Sequence, residues 1–326
     1  METELIAQAV ILLISLGALA KASQYVIENA VVLARYFRIS EATVGFVLIS
    51  VSTSLPELSV ALISSSAGEG ALSVGNVIGS NIADLTLVIG ICAFIRPLLV
   101  KKRDMMEIMK ILLITSIIPL VLIYTGNLDK FGGLLLIGIF AAYVFYVSRK
   151  KIEMEKDVNH IRRPQALRAF LLFSGGIVGV LLTSSFAVNS AVTISAMTGI
   201  TKTFLGATII ALGTSLPELA VDIQAVRRGR YSLALGDAIG SAMTNLTLVL
   251  GVTALFNPVI ISMSIFLTIM LFLLATNMAL MYFMTTSNKI TKKEGVMLIA
   301  LYVIFVLVTS GVQISVAHLL PIQLPF

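Results

Sequence analysis

Cysteine and histidine are nearly absent from this chain of 326 residues. Cys92 is the single cysteine, so no disulfide can form within the chain. His160 and His318 are the only histidines, which leaves too few sulfur and imidazole ligands for a cysteine/histidine metal cluster. Folds stabilised by a disulfide framework or a zinc cluster are therefore excluded.

Charge is also scarce. Only 12% of the residues are charged, 58% are hydrophobic, and the mean hydropathy is +1.01, far outside the range of a soluble domain. The chain begins with the acidic stretch Met1–Glu4 and lacks the basic segment of a cleaved signal peptide. We therefore predict an all-α integral membrane protein whose first apolar segment stays as a transmembrane helix.

The apolar segments predict ten membrane spans, because each is close to or above the roughly 20 residues that cross a bilayer. The spans are 5–34, 43–66, 71–95, 106–124, 131–148, 167–197, 204–226, 232–256, 260–283 and 295–317. The first and the sixth are longer than a perpendicular span needs, so we expect them to tilt or to extend beyond the hydrocarbon.

Basic residues are confined largely to one set of loops. Loops that follow odd-numbered spans hold 20 of the 23 Lys and Arg residues, whereas Lys130 and Lys202 lie on the other side. Cytoplasmic loops collect positive charge, so both termini are predicted to be extracytoplasmic. The net charge of +6 then reflects topology and contact with the lipid bilayer rather than binding of nucleic acid.

The chain contains an internal duplication. The sequence Thr-Ser-Leu-Pro-Glu occurs at 53–57 and again 161 residues later at 214–218, and 20 of 46 positions are identical between Gly45–Gly90 and Gly206–Gly251. With five spans per copy, the second copy enters the membrane from the opposite side. We predict two inverted five-helix repeats, 1–148 and 166–326, joined by a cytoplasmic linker at 149–165, with the site at their midplane interface.

Each copy places a carboxylate, Glu57 or Glu218, inside an apolar run. A charge in that environment is costly and usually functional. Pro56 and Pro217 remove a helix hydrogen bond and free carbonyl oxygens, which a membrane tolerates where they line a polar cavity. A threonine lies one turn before each glutamate. Each copy therefore brings hydroxyl, carboxylate and carbonyl oxygens to one point.

The next helix of each copy adds further oxygen atoms. Its motif is Gly-Asn/Asp-x-Ile-Gly-Ser, at 75–80 and 236–241, in which the glycines at i and i+4 form a seam for close helix packing. Ser80 is followed one turn later by Asp84, and Ser241 by Asn245. An oxygen-only set with several carboxylates suits a hard cation such as Ca²⁺.

Two further acids have alternative interpretations. Asp222 lies one turn after Glu218; it could feed ions to the site, but we expect a solvated partner of the nearby Arg227 or Arg228, of low energetic weight. For Asp237, a role at a helix terminus and a role in a vestibule are both open.

Thr-Ser-Leu-Pro-Glu followed by Gly-Asn/Asp-x-Ile-Gly-Ser in both halves resembles the cation/Ca²⁺ exchanger superfamily, in particular prokaryotic sodium/calcium exchangers. The resemblance implies that Glu57 and Glu218 are the central Ca²⁺ ligands and also share Na⁺. It also implies that Thr53 and Thr214 contribute to the Ca²⁺ site. Flanking Na⁺ sites would be formed by Ser54, Ser215, Ser80 and Ser241, together with carbonyl oxygens near Ser50 and Ala211.

This chain departs from the family pattern at one polar pair. Related sequences often have the amide in the first repeat and the carboxylate in the second, whereas here Asp84 and Asn245 reverse that order. Because the two repeats are pseudo-symmetric, swapping the two residues can give a mirrored version of the same site. It leaves open whether Asp84 is ionised, binds Na⁺ or K⁺, or carries a proton. Ser52 also replaces the glycine found at Gly213.

The predicted function is secondary active exchange of Ca²⁺ for Na⁺ by alternating access, with 5–34 and 167–197 sliding across the core. The alternatives are a Ca²⁺/H⁺ antiporter or a K⁺-dependent variant on the same scaffold and, less favoured, a cation channel. No enzymatic activity is expected, because a hydrolase that used a motif serine as nucleophile would need a His or Lys base, and none lies near the serines of either copy. The ions are cargo, and we predict no cofactor; the sequence gives no evidence of a protein partner.

Overall fold

The computed structural model describes residues 2–36, 49–100, 102–124, 128–149, 162–256, 263–287 and 289–319, nearly all of them helical. The α-helices are α1 (Glu2–Tyr36), α2 (Ile49–Thr53), α3 (Leu55–Ser66), α4 (Gly70–Ala83), α5 (Ile89–Ile95), α6 (Lys102–Tyr124), α7 (Lys130–Arg149), α8 (Arg163–Thr198), α9 (Lys202–Leu205), α10 (Ala211–Thr214), α11 (Leu216–Arg227), α12 (Tyr231–Thr244), α13 (Leu250–Phe256), α14 (Met263–Ser287) and α15 (Lys292–Leu319). Among the described residues, three π-helical segments interrupt them, π1 (Asp84–Val88), π2 (Gly206–Ile210) and π3 (Asn245–Val249). A two-residue ladder pairs β1 (Leu98–Leu99) with β2 (Lys289–Ile290) in antiparallel register.

The structure confirms an all-α multi-pass membrane protein. Within the described residues, eight helices are long and apolar enough to cross a bilayer, or nine if the bent pair Lys202–Thr214 and Leu216–Arg227 forms one span. The predicted span 43–66 begins among residues that the structure does not describe, and only Ile49–Ser66 of it is seen. Ten spans therefore stay a prediction.

Two central spans form the core of the bundle. Each is a continuous helix with a π segment in its middle, Gly70–Ile95 and Tyr231–Phe256, and 78% of the apolar window of each is buried. By contrast, the long helices α1 and α8 are only 28% and 22% buried over their apolar windows. The polar motifs therefore lie on the most enclosed helices, while α1 and α8 face lipid along much of their length.

The glycine seam predicted for the first copy allows backbone contact between two spans. A Cβ atom at Gly79 would overlap the backbone of Ala207 in π2, and one at Gly75 would overlap the carbonyl oxygen of Thr203. On the facing segment, a Cβ atom at Gly206 would overlap the carbonyl oxygen of Leu72. Only glycine permits this approach, which brings α4 of the first half against π2 of the second.

The long helices α1 and α8 pack along each other and contact the core through an apolar surface. Leu16, Val188 and Ile194 belong to a buried cluster that also contains Leu72 and Ile210 of the core. A polar contact crosses the same interface, a hydrogen bond between the Ser59 and Ser184 hydroxyls. Apolar contacts of this kind have little directional preference.

Positions 161 residues apart contact each other near the middle of the bundle. Asn81 donates from Nδ2 to the carbonyl oxygen of Ala242 at 3.1 Å, and Asn277 Nδ2 donates to Ser116 Oγ at 2.9 Å. Both pairs have the separation of the sequence repeat. The two copies therefore meet at equivalent residues.

Candidate cation-binding site

Both Thr-Ser-Leu-Pro-Glu motifs interrupt a helix at the serine. The first break separates α2 from α3 at Ser54, and the second separates α10 from α11 at Ser215, where the two parts of the span bend by 40°. Both copies of the proline motif therefore break their helix. Proline fits at the start of α3 and α11 because the first-turn N–H groups of a helix have no internal partner.

The first motif surrounds the Thr53 hydroxyl with oxygen atoms from both halves. Thr53 Oγ1 lies 3.2 Å from the carbonyl oxygen of Ser50, 3.2 Å from Asp237 Oδ1 and 2.9 Å from Ser241 Oγ. Ser241 Oγ in turn lies 3.4 Å from the Ser50 carbonyl oxygen. Four oxygen atoms therefore lie close together, and only the Thr53 and Ser241 hydroxyl groups can donate hydrogen bonds among them.

The second motif repeats this arrangement with the halves exchanged. Thr214 Oγ1 lies 3.2 Å from the carbonyl oxygen of Ala211, 3.1 Å from Asn76 Oδ1 and 3.1 Å from Ser80 Oγ. The Thr214 and Ser80 hydroxyls also lie near the Glu57 carboxyl group, but neither forms a hydrogen bond with it. The threonine of each half thus contacts the motif serine of the other half.

Three buried carboxyl groups of the two halves interact with one another. Glu57, Asp84 and Glu218 are each 0% exposed, and none of their six carboxyl oxygens has a hydrogen-bond partner among the described residues. Glu57 interacts electrostatically with both Asp84 and Glu218. Buried acceptors without donors require a cation or a proton, since isolated buried charge is strongly unfavourable.

The polar pair Asp84 and Asn245 begins two of the π-helical segments. Asp84 is the first residue of π1, and Asn245 is the first residue of π3. Asn245 Nδ2 donates to Asn81 Oδ1 at 3.1 Å, while Asn245 Oδ1 has no partner in the described part of the chain. The widened π turn is often found at functional sites, and the Asp84 carboxyl group interacts electrostatically with that of Glu57.

Ser54 and Ser215 lie at the two helix breaks. Both are buried, and the Oγ atom of each lacks a hydrogen-bond partner among the residues described. Ser215 lies beside the Asp84 carboxyl group. The structure therefore brings predicted site residues of both halves into contact, whereas Ser54 and Asn245 are buried without a contact to another predicted ligand among the described residues.

Asp222 and Asp237 differ from their sequence interpretations. The prediction that Asp222 is a solvated partner of Arg227 or Arg228 is wrong, because Asp222 is 1% exposed and faces inward while both arginines are exposed. The helix-terminus interpretation of Asp237 is also wrong, because α12 begins six residues earlier at Tyr231. Sequence reasoning further missed Asn76 and Asn81 as site-lining amides.

A cation held here would need more than carboxylates. No group of three or more acidic, histidine or cysteine side chains in the described ranges is close enough to hold a metal ion. Two carboxylates completed by threonine and serine hydroxyls and by the Ser50 and Ala211 carbonyl oxygens give a mixed oxygen set, which hard cations accept.

A cavity of about 380 Å³ separates α1 from α11 near the end that carries the arginines. Its lining includes Gln24 and Glu28 from α1, Gln224 from α11, and Arg228 and Arg230 beyond it. None of the predicted site residues lines this cavity. It leaves the adjoining face of α1 unpacked against α11.

Comparison with known families decides the relationship of this chain. The family model described as sodium/calcium exchanger protein matches residues 7–149 and 168–311. The chain belongs to the sodium/calcium exchanger family. Both motif copies and all the converging side chains described above lie inside the matched segments.

Two relatives that align with most of this exchanger-family protein are archaeal. It is 28% identical to sodium/calcium exchanger MaX1 of Methanosarcina acetivorans, over 91% of this chain and 97% of that protein. It is 30% identical to the uncharacterized membrane protein MJ0091 of Methanocaldococcus jannaschii, over 83% and 88%. Among solved structures it resembles the sodium-calcium exchanger NCX_Mj soaked with Na⁺ and Sr²⁺, with a TM-score of 0.65 and 27% identity over 92% and 98% of the two chains.

Proposed function

We propose that this protein is a secondary active antiporter that exchanges Ca²⁺ for Na⁺ across the membrane. The observation that carries the proposal is the pair of buried glutamates, Glu57 and Glu218, whose carboxyl oxygens have no donor partner in the described structure. Membership of the exchanger family and the names of its relatives support the same cargo. The ions are substrates, and no cofactor enters the mechanism.

The chemistry of the site supports competition between the two cargoes. One Ca²⁺ between Glu57 and Glu218 is balanced by two negative charges, and Na⁺ ions on the same oxygen atoms would balance them equally well. Thr53 and Thr214 complete the Ca²⁺ site in this proposal, while Ser54, Ser215, Ser80 and Ser241 take part in the Na⁺ sites. Since both cargoes need the same carboxylates, a filled site exchanges one load for the other.

The proposed topology is ten spans in two inverted repeats, 1–148 and 166–326, with a cytoplasmic linker at 149–165. Contacts between positions 161 apart and the exchanged threonine clusters support two equivalent halves around a pseudo-twofold axis. The distribution of basic residues supports cytoplasmic odd-numbered loops and extracytoplasmic termini. The site then lies at the repeat interface.

We infer that α1 and α8 slide together along the core to alternate access. They pack extensively on each other, and their contact with the core is largely an apolar cluster. The cavity beside Gln24 and Glu28 gives α1 room to move against α11. Cysteine crosslinks that join both helices to the core should stop transport, and undiminished flux after crosslinking would exclude the sliding motion.

Uptake of ⁴⁵Ca²⁺ into proteoliposomes tests the proposed function. Vesicles loaded with Na⁺ should accumulate Ca²⁺, whereas vesicles loaded with choline should not, because only the outward Na⁺ gradient supplies the driving force. Two further preparations are compared with the Na⁺-loaded vesicles, one loaded with K⁺ and one that carries only a pH gradient. Equal uptake driven by the pH gradient without Na⁺ would contradict the proposal and indicate proton coupling, with Asp84 as the first carrier to examine.

A further inference from the structure

A chain of two hydrogen bonds connects α8 to the backbone of the first glutamate motif. The Ser59 hydroxyl donates to the Pro56 carbonyl oxygen at 2.8 Å, which uses its only proton. The Ser184 hydroxyl of α8 is therefore the donor in its hydrogen bond with Ser59. Both serines are buried, so water does not compete for these bonds. One helix of the α1 and α8 pair is thereby attached to the residue that precedes Glu57.

The equivalent contact in the other half is incomplete. A shift of 161 residues relates Ser184 to Ser23 of α1 and Ser59 to Ala220 of α11. The shift holds along α1 and α8, because buried residues of α1 fall on buried residues of α8 at positions 19, 23, 26, 27, 29 and 30. Ser23 is fully buried, and its Oγ atom has no hydrogen-bond partner among the described residues. Ala220 has no hydroxyl group to offer it.

The two interfaces also differ in packing. At the serine pair α8 lies directly against α3, whereas the cavity of about 380 Å³ lies between α1 and α11. Ala220 lines that cavity, and so does Ile27, which follows Ser23 by one turn of α1. The structure therefore shows the interface of α8 with α3 engaged and the equivalent interface of α1 with α11 disengaged.

Two halves with the same fold can exchange their conformations, and the two resulting states differ in free energy through the positions at which the halves differ. In the exchanged state, α1 would lie against α11 as α8 now lies against α3. Ser23 would then face the methyl group of Ala220 and form no hydrogen bond, while Ser184 would lose its bond with Ser59. One net hydrogen bond therefore favours the conformation seen here and contributes a factor of about five to the ratio of the two populations.

We propose that Ser59 and Ser184 are positioning residues that favour one of the two access states, and that Ala220 confines this effect to one half. The inference rests on the proposed sliding of α1 and α8, and it adds which of the two states the protein prefers. The cavity lies at the end that carries the arginines, which is cytoplasmic in the proposed topology. The preferred state is therefore the one in which the cytoplasmic interface is disengaged.

Cysteine labelling at two equivalent positions measures the balance between the states. Ile27 lines the cavity, and its equivalent in the other half is Val188, a buried residue one turn after Ser184. Full-length Ile27→Cys and Val188→Cys proteins are purified in detergent and treated with a maleimide, so that both ends are exposed to the reagent. The ratio of the Ile27→Cys rate to the Val188→Cys rate follows the population ratio. Protein without either reporter measures background labelling of the buried Cys92.

Removal of the hydrogen bond should lower this labelling ratio about fivefold, in Ser59→Ala and in Ser184→Ala alike. Ala220→Ser gives Ser23 the partner that it lacks and should also lower the ratio about fivefold. The exchange variant Ser59→Ala/Ala220→Ser moves the hydroxyl to the other half, and additive contributions predict a fall of about twenty-five-fold. Ser66→Ala removes an exposed hydroxyl that bonds to carbonyl oxygens of α3, and it should match wild type.

A wild-type labelling ratio in both Ser59→Ala and Ala220→Ser would overturn the proposal, and so would a ratio that the exchange variant leaves unchanged. Ala220→Ser adds a group and removes none, so it keeps the test decisive if Ser59→Ala folds poorly. Labelling needs no transport, and Na⁺-driven ⁴⁵Ca²⁺ uptake by wild type is measured separately. Uptake with an unchanged ratio would refute the role of the serines alone, whereas a shifted ratio without uptake would refute the exchange of Ca²⁺ for Na⁺.

Discussion

Glu57→Gln is expected to abolish Na⁺-driven Ca²⁺ uptake and to weaken Ca²⁺ binding by about a hundredfold or more. Glutamine keeps the size of the side chain but removes a charge that balances the ion, and loss of one partner of a buried charge pair costs about 3 kcal/mol or more. Glu218→Gln should give the same loss, because the two glutamates occupy equivalent positions. Binding of ⁴⁵Ca²⁺ to purified protein measures both variants.

Thermal unfolding distinguishes this role from a structural one. Without Ca²⁺, Glu57→Gln should melt no lower than wild type, because it removes a buried carboxylate that has no donor in the described structure. Added Ca²⁺ should raise the melting temperature of wild type but not of the variant. Glu69→Gln, which breaks a surface ion pair with Lys202, should retain wild-type Ca²⁺ affinity. Wild-type affinity in Glu57→Gln would refute the assignment.

Gly79→Ala is expected to destabilise the protein by about 3 kcal/mol or more and to eliminate transport. The added methyl group would overlap the backbone of Ala207, and backbone atoms cannot move aside as a flexible side chain can. Separation of α4 from π2 would also pull Ser80 away from Thr214. Melting temperature in detergent and ⁴⁵Ca²⁺ uptake are the measurements.

Gly138→Ala is the matched control for the glycine seam. Gly138 lies within α7, and a Cβ atom there would meet nothing within 4 Å. Alanine has the higher helix propensity by about 1 kcal/mol, so this variant should melt at or above the wild-type temperature. If Gly79→Ala melted like Gly138→Ala, the close approach of α4 and π2 would be contradicted.

The features that the sequence predicted best are those that occur in both copies of the repeat. Apolar segment length predicted the membrane helices within a few residues, for example 131–148 against Lys130–Arg149. The duplicated motifs predicted that Thr53 and Ser241, which are far apart in the chain, would contribute to one region, and their hydroxyls lie 2.9 Å apart. A feature present in both copies is recognisable because chance similarity does not keep a fixed register.

Features of a single copy were harder to predict. Asp222 has no counterpart in the first half, and its proximity to arginines along the chain suggested a solvated ion pair. Its burial follows from packing of α11 near Cys92 of α5 and Asp84, a tertiary contact that sequence spacing cannot show. The π-helical segments were also unforeseen, because the central spans are buried on most sides and have no single apolar stripe whose shift would reveal the extra residue of a π turn.

Competition between the two ions at equilibrium tests the central claim most directly, since one set of oxygen atoms is proposed to bind both. Purified protein is loaded with ⁴⁵Ca²⁺ and titrated with NaCl, with choline chloride at matched ionic strength as the control. We predict that Na⁺ displaces Ca²⁺ along a steep, cooperative curve, because several Na⁺ ions replace one Ca²⁺, and that choline displaces none. Ca²⁺ that stays bound at all Na⁺ concentrations would contradict a shared site.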